Sequence, residues 1–433
     1  MAAEQATRKA AEEQDRLDKA TASHRTETYK GKDLIAWTAE IEKDPQNPKL
    51  YYGRGMLHQL RDERTNAIDD YSEAIALDPK YINAYLQRSS QYSMIADFEK
   101  AIADADKVIS IAPNLSSGYE TRAFAELDTE QYNKQIEDLR KALVLHRAAG
   151  APKGSLAYMY NSLGDAYLNL GRFSEAKKCA TEAIKDTDDT ALEHYAYCLR
   201  AVVSCFQHDY EAANEDLTKI TSGGDATSWD LHFLALYQAS LGEMDLAEKT
   251  LQRAMEKETF PARAYRLRGE IFKAVGQYKR SFQEHSSATS LQQFPPGYRQ
   301  RALASIALGQ YVSALNDLQK SLKLNPKSSR TLSYMALVEF KLGKEKEAAK
   351  HMRQAFETDS QVPIVYATRA AWRVLARGSL IEALADCNKA LTQDPWLKEG
   401  YVARAVIYRQ LGQNDLADKD MEKSKTLLTH IEY

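Results

Sequence analysis

One pattern recurs eight times along the 433 residues and restricts the chain to a repeated fold. Tyr-x-x-Arg, followed by Gly, Ala or Ser, places arginines at Arg54, Arg88, Arg122, Arg200, Arg268, Arg301, Arg369 and Arg404. Sixteen residues after seven of them stands an acid: Asp70, Asp104, Asp138, Asp216, Glu284, Asp317 and Asp420. After Arg369 the acid is Asp386, seventeen residues on. Three further units keep the rhythm but put Leu163, Leu234 or Met335 in the arginine slot. Sixteen residues after those stand Cys179, Thr250 and His351, none of them an acid. An acid that accompanies the arginine and vanishes with it reads as a contacting partner. Wholesale duplication of two repeat subtypes would leave the same trace.

The small residue after each slot gives the period. Gly55, Ser89, Ala123, Gly164, Ala201, Ala235, Gly269, Ala302, Ala336, Ala370 and Ala405 follow one another at steps of 33 to 37 residues, with one step of 41. A second small residue recurs about twelve positions later, as at Ala67, Ala101 and Ala176. A breaker such as Gly171, Gly242 or Gly309 usually separates the two, and a proline often closes the unit, as at Pro79, Pro113, Pro326 and Pro395. Apolar residues in each half recur at helical spacing. Each unit therefore reads as helix, turn, helix, stop. Self-similarity at this period is the signature of a stacked array. The expected fold is an all-α solenoid of eleven or twelve helix-turn-helix repeats.

These units resemble the tetratricopeptide repeat. The fullest match is Tyr160, Leu163, Gly164 and Tyr167, then Gly171, Phe173, Ala176, Ala180 and Ala183. The resemblance runs from residue 48 to about 429. It implies antiparallel helix pairs stacked into a right-handed superhelix, with a concave groove lined by the first helix of each pair. The stretch from Asp33 to Pro45, with Leu34, Trp37 and Ile41, resembles the second helix of a degenerate first unit.

Helix geometry accounts for the Arg–acid spacing. The two small residues mark where the helices cross, because their backbones can approach there. The arginine lies one residue before that crossing and the acid three beyond it. In an antiparallel pair both offsets run the same way, at about 1.5 Å per residue, well within an arginine's reach. The expected contact is charge-assisted and bidentate, with the preceding tyrosine on the same helix face.

Composition narrows the function classes. A net charge of −3 with 27% charged residues gives no attraction to nucleic acid or an anionic membrane. No apolar run reaches the ~20 residues of a membrane span. Four scattered cysteines do not make a disulfide framework, and Cys198 and Cys205, seven apart on one helix, are too distant to bridge. Residues 1–28 are expected to be solvated or disordered. A first repeat block covers 29–147 and includes the degenerate unit. The loop 148–155, with Gly150, Pro152 and Gly154, is a candidate hinge. A second block covers 156–433 and ends in a polar capping helix. A cytoplasmic location is expected, or an exported one if a leader was removed.

No catalytic motif, metal-ligand spacing or cofactor loop occurs, so no catalytic residue, metal or cofactor is expected. The family's groove positions lie two before, one after and five after the tyrosine slot. They hold Asn161 and Asp165, then Cys198 and Val202, then His232 and Leu236, then Arg263, Arg266 and Glu270. Arg299 and Leu303 follow, and then Arg330, Ser333 and Leu337. An apolar patch around Val202, Phe206, Phe233 and Leu236 stands beside a basic one of Arg263, Arg266, Arg299 and Arg330. Such a pair of patches suits an amphipathic helix or an acidic peptide. The set of Lys, Asn and Arg that clamps a chaperone's acidic tail is missing: Tyr52, Met56, Gln87, Ser117 and Thr121 fill those slots. The expected function is a non-catalytic protein-interaction scaffold. The rival is a regulatory subunit that senses a ligand or peptide.

Overall fold

A computed structural model describes residues 34–429 apart from 153, 223 and 225; the expectation for residues 1–28 lies outside them. The described residues form helices and no strands. Helix α1 is Leu34–Lys43 and α2 and α3 are Pro48–Leu60 and Arg64–Leu77. The next pairs are Ile82–Met94 (α4) with Phe98–Ile111 (α5), Ser116–Asp128 (α6) with Tyr132–Ala148 (α7), and Ala157–Asn169 (α8) with Phe173–Asp186 (α9). Thr190–Phe206 (α10) pairs with Tyr210–Thr221 (α11), Ser228–Ser240 (α12) with Met244–Lys257 (α13), and Pro261–Ala274 (α14) with Tyr278–Leu291 (α15). Pro295–Ala307 (α16) and Tyr311–Leu324 (α17), Ser329–Lys341 (α18) and Glu345–Thr358 (α19), Pro363–Leu375 (α20) and Leu380–Gln393 (α21), and Lys398–Gln410 (α22) and Asn414–Thr426 (α23) complete the series.

The repeat's recurring residues have separate structural tasks. Prolines at the first turns of α2, α14, α16 and α20 sit where a missing N–H costs nothing. Four slot tyrosines staple the incoming turn: the hydroxyls of Tyr51, Tyr85, Tyr119 and Tyr401 donate to the carbonyls of Pro45, Pro79, Pro113 and Pro395. The small residues are held by contact. A Cβ on Gly55 would come within 2.7 Å of the Tyr71 ring, so the pair α2–α3 admits nothing larger there. Ser89 replaces a glycine by spending its hydroxyl on the Ala101 carbonyl at 2.7 Å.

Two compact units divide the chain, one up to Met159 and one from Tyr160. In the first, Tyr52, Tyr71, Tyr85, Val108 and Leu115 form a core between successive pairs. The second contains α8 from Tyr160 onward through α23. Its own cores include Leu315, Leu318, Met335 and Val338 and, later, Cys387, Ala403 and Ile407.

The second unit closes on itself. Arg330 on α18 donates to the Asn169 carbonyl at the end of α8. Asp394, after α21, lies against Gly171. Trp396 meets the rings of Phe173 and His208 at 6.5 and 5.9 Å. After α23 the chain returns, and the Thr429 N–H donates to the Ala274 carbonyl at the end of α14 at 3.2 Å. The last pairs thus pack against earlier ones.

Candidate functional site

The Arg–acid spacing places the two groups opposite one another in all eight pairs. Arg54, Arg88, Arg122, Arg200, Arg301, Arg369 and Arg404 each present Nε and Nη2 to the two oxygens of Asp70, Asp104, Asp138, Asp216, Asp317, Asp386 and Asp420 at 2.6–2.9 Å. Arg268 meets Glu284 at 2.6 Å. The aspartates are buried and the arginines half-buried. Every slot tyrosine supplies a ring face, with the guanidinium carbon 5.3–5.9 Å from its centroid. Hydrogen bonding to Asp138 raises the Arg122 pKa, and likewise Asp70 acts on Arg54 and Asp317 on Arg301.

The remaining guanidinium nitrogen reaches backwards. Nη1 of Arg54, Arg88 and Arg122 meets Thr38, Ser72 and Asp106, each sixteen residues earlier on the preceding pair's second helix. Arg200, Arg301 and Arg404 reach Thr181, Thr289 and Asn388 in the same way. Each of these arginines therefore joins three helices.

Two of the units without an arginine carry a displaced latch. Gln238, one helical turn after Leu234, accepts from the Thr250 hydroxyl at 2.8 Å. Glu339, one turn after Met335, meets His351 Nδ1 at 2.7 Å. The signal was a fixed spacing of twelve residues between polar side chains.

Most of the expected groove residues of the second unit do not form an open surface. Val202, Leu236, His232, Arg299 and Arg330 are buried. Asn161 is buried too and donates to the Leu192 carbonyl at 3.1 Å. Asp165 accepts from the Tyr195 hydroxyl at 2.6 Å, and burial outweighs that bond and pushes its carboxyl up to about 7. His232 Nδ1 donates to the Ser228 carbonyl at 2.7 Å, and burial lowers its pKa. Arg299 donates to Thr331 at 3.3 Å. Arg263 is engaged by Glu258 at 2.7 Å, and Arg266 is half-buried. The basic patch is thus largely consumed inside the unit: Arg330 by the Asn169 carbonyl of the closure, Arg299 by Thr331 and Arg263 by Glu258.

Two other places remain accessible. In the first unit, Phe124 on α6 and Tyr158 on α8 are 47% and 37% exposed and stack with centroids 5.6 Å apart. Phe124 is five after Tyr119 and Tyr158 two before Tyr160, both groove positions by the family's rule. In the second unit, α14, α16, α18, α20 and α22 face an apolar cavity of about 480 Å³. Leu303 and Leu337, groove positions already singled out, line it. Among the described residues no cluster of His, Cys, Asp or Glu could hold a metal ion, and no helix is long and apolar enough to cross a membrane.

A sequence model of the tetratricopeptide repeat matches residues 48–81, 157–185 and 399–427. These three stretches are tetratricopeptide repeats. The three matches fall on α2–α3, α8–α9 and α22–α23, so they sample both units and the last pair. Among solved structures, a tetratricopeptide repeat protein from Parabacteroides merdae is similar at 13% identity, over 60% of this chain and 99% of its own, with a TM-score of 0.50. Yeast Tom70 is similar at 14% identity, over 88% of this chain and 92% of its own, with a TM-score of 0.42. The APC/C hetero-tetramer Cut9–Hcn1 gives 12%, 94%, 91% and 0.42. At such identities the likeness is one of fold. No curated protein matches the chain. Tetratricopeptide-repeat proteins generally act as protein-interaction scaffolds and are generally not enzymes.

Proposed function

We propose that this tetratricopeptide array is a non-catalytic scaffold that holds a segment of a partner protein against the first helices of its N-terminal unit. The observation that carries the reading is the exposed Phe124–Tyr158 stack on two groove positions of neighbouring repeats. Rigid aromatic rings give large contact area, and interfaces concentrate binding energy in such anchors. With Arg299 and Arg330 buried, the case for an acidic peptide weakens. The apolar face of an amphipathic helix is the chemistry that an aromatic pair accepts.

A photo-crosslinking amino acid at position 124 should capture a stoichiometric partner in native cells. The purified partner should then lose at least tenfold in affinity for the Phe124→Ala, Tyr158→Ala double variant at unchanged melting temperature. Equal affinity for wild type and variant removes this surface from the interaction.

The second reading, a regulatory subunit that senses a small ligand, has one observation in its favour: the 480 Å³ cavity of the C-terminal unit, a size typical of ligand pockets. In that reading the 148–155 loop is the place where the array flexes.

A further inference from the structure

The lining of the C-terminal unit's cavity includes none of the latch residues. Its wall is aliphatic, with Leu303, Ile306, Leu337, Val374, Val402 and Val406 contributed by four helices. Among the described residues no asparagine, glutamine or arginine lines it. An extended peptide brings an N–H and a C=O with every residue, and each requires a partner once buried. Thr368 is already committed, since its hydroxyl lies 2.8 and 3.0 Å from the Ile364 and Val365 carbonyls. Tyr278, Tyr334 and Thr429 also belong to the lining, but the continuous wall is aliphatic and suits a chain that carries few polar groups along its length.

Cationic groups border this wall. Lys341 on α18 and Lys398 on α22 line the cavity, the first exposed and the second half-buried, and neither forms an ion pair among the described residues. Lys273 differs, because its ammonium is held by Glu270 at 2.9 Å and Gln300 at 2.5 Å. Among the described residues Glu399 is the one acid in the lining. Its Oε2 is shut from solvent with no hydrogen-bond partner. Burial holds its carboxyl above the usual range, so its protonated form can donate to an anion.

We propose that this cavity binds a single-chain amphiphile with an anionic head, of the fatty-acid class, its tail against the aliphatic wall and its carboxylate at Lys341 and Lys398. The proposal rests on the ligand-sensing reading and names its ligand. Partner capture at Phe124 and Tyr158 stands separately.

Calorimetric titration of the full chain with octanoate, decanoate and laurate, and with decanol as a headless control, tests it. One ligand should bind per chain, about fourfold tighter for each added methylene until the cavity is full. Lys341→Glu with Lys398→Glu should weaken decanoate at least tenfold and leave decanol unchanged. Ile306→Trp should fill the cavity and abolish both. If that variant does not fold, Val402→Trp, at a partly exposed position, reads the same property. Absence of saturable one-to-one binding overturns the proposal, as does decanoate binding that ignores the lysine changes. A thermal shift from another small ligand, with none from the fatty acids, overturns the class and spares the sensing reading.

Discussion

Arg122 and Asp106 meet at 2.6 Å across the joint between two repeats, while the other edge of the same guanidinium grips Asp138. One side chain thus fixes both the pairing within a repeat and the stacking between repeats. Its two partners differ in value. Asp138 is buried, and losing its cation strands a charge. Asp106 is 53% exposed, where pairing is worth little. Arg122→Ala should therefore cost about 2–3 kcal/mol, below the fully buried range because Arg122 itself is partly exposed. Asp106→Ala should cost less than about 1 kcal/mol. Arg122→Asp and Asp138→Arg should each destabilise, and the double swap should recover part of the loss. Additive costs in chemical denaturation would show that the two are not coupled.

The closure of the C-terminal unit can be isolated with two glycines. Gly171 and Gly242 both terminate a first helix in left-handed backbone, with φ of +70° and +83°. A Cβ on Gly242 would meet nothing within 4 Å, whereas one on Gly171 would meet the Asp394 carboxyl at 2.2 Å. Gly242→Ala should cost about 1–2 kcal/mol from backbone strain alone. Gly171→Ala should cost about 1–3 kcal/mol more, from overpacking against Asp394. Equal melting temperatures for the two variants would mean that the Gly171–Asp394 contact does not form in solution.

Asp394 should also make stability depend on pH. Burial pushes its carboxyl up to about 7, against the pull of the Trp396 N–H at 2.9 Å. The ordinary value is 3.8, so the fold prefers the protonated form. Its contribution is complete below about pH 4, declines as pH rises to about 7 and is absent above that. Asp394→Asn keeps the neutral shape and should stabilise the protein at pH 8 by on the order of 2–4 kcal/mol, with little effect at pH 4. Asp165, at about 7, and Glu126, at about 8, are raised in the same sense, so some slope should remain. A variant whose melting temperature tracks wild type from pH 4 to 8 would deny Asp394 this role.

What could be read from the sequence depended on how far each contact reaches. Arg–acid pairs are local to one repeat and recur, so spacing revealed them. The backward contacts also had a signal, since Thr38, Ser72, Asp106 and Asn388 each stand sixteen residues before an arginine. The displaced latches Gln238–Thr250 and Glu339–His351 were hidden because the polar residue moved one turn along its helix. Burial of Arg330 was illegible for a different reason. Its carbonyl partner, on Asn169, lies 161 residues away, and no local pattern encodes a solenoid folding back on itself. For the same reason the groove rule, applied to an open array, selected Arg330, which the closed unit covers.

Arg299 distinguishes those two pictures. On an open groove it would be a solvated cation, and reversing its charge would alter binding while sparing stability. In the structure it is 1% exposed on α16, beside Thr331 of α18. A glutamate there would bury a charge where the packing accommodates a guanidinium. Arg299→Glu should therefore destabilise the C-terminal unit by about 3–5 kcal/mol. Arg353→Glu, at an exposed site on α19, should stay within about 0.5 kcal/mol of wild type. Denaturant midpoints of the two variants read the difference directly. If Arg299→Glu melts with wild type but binds the partner less well, the basic groove returns as the interaction site.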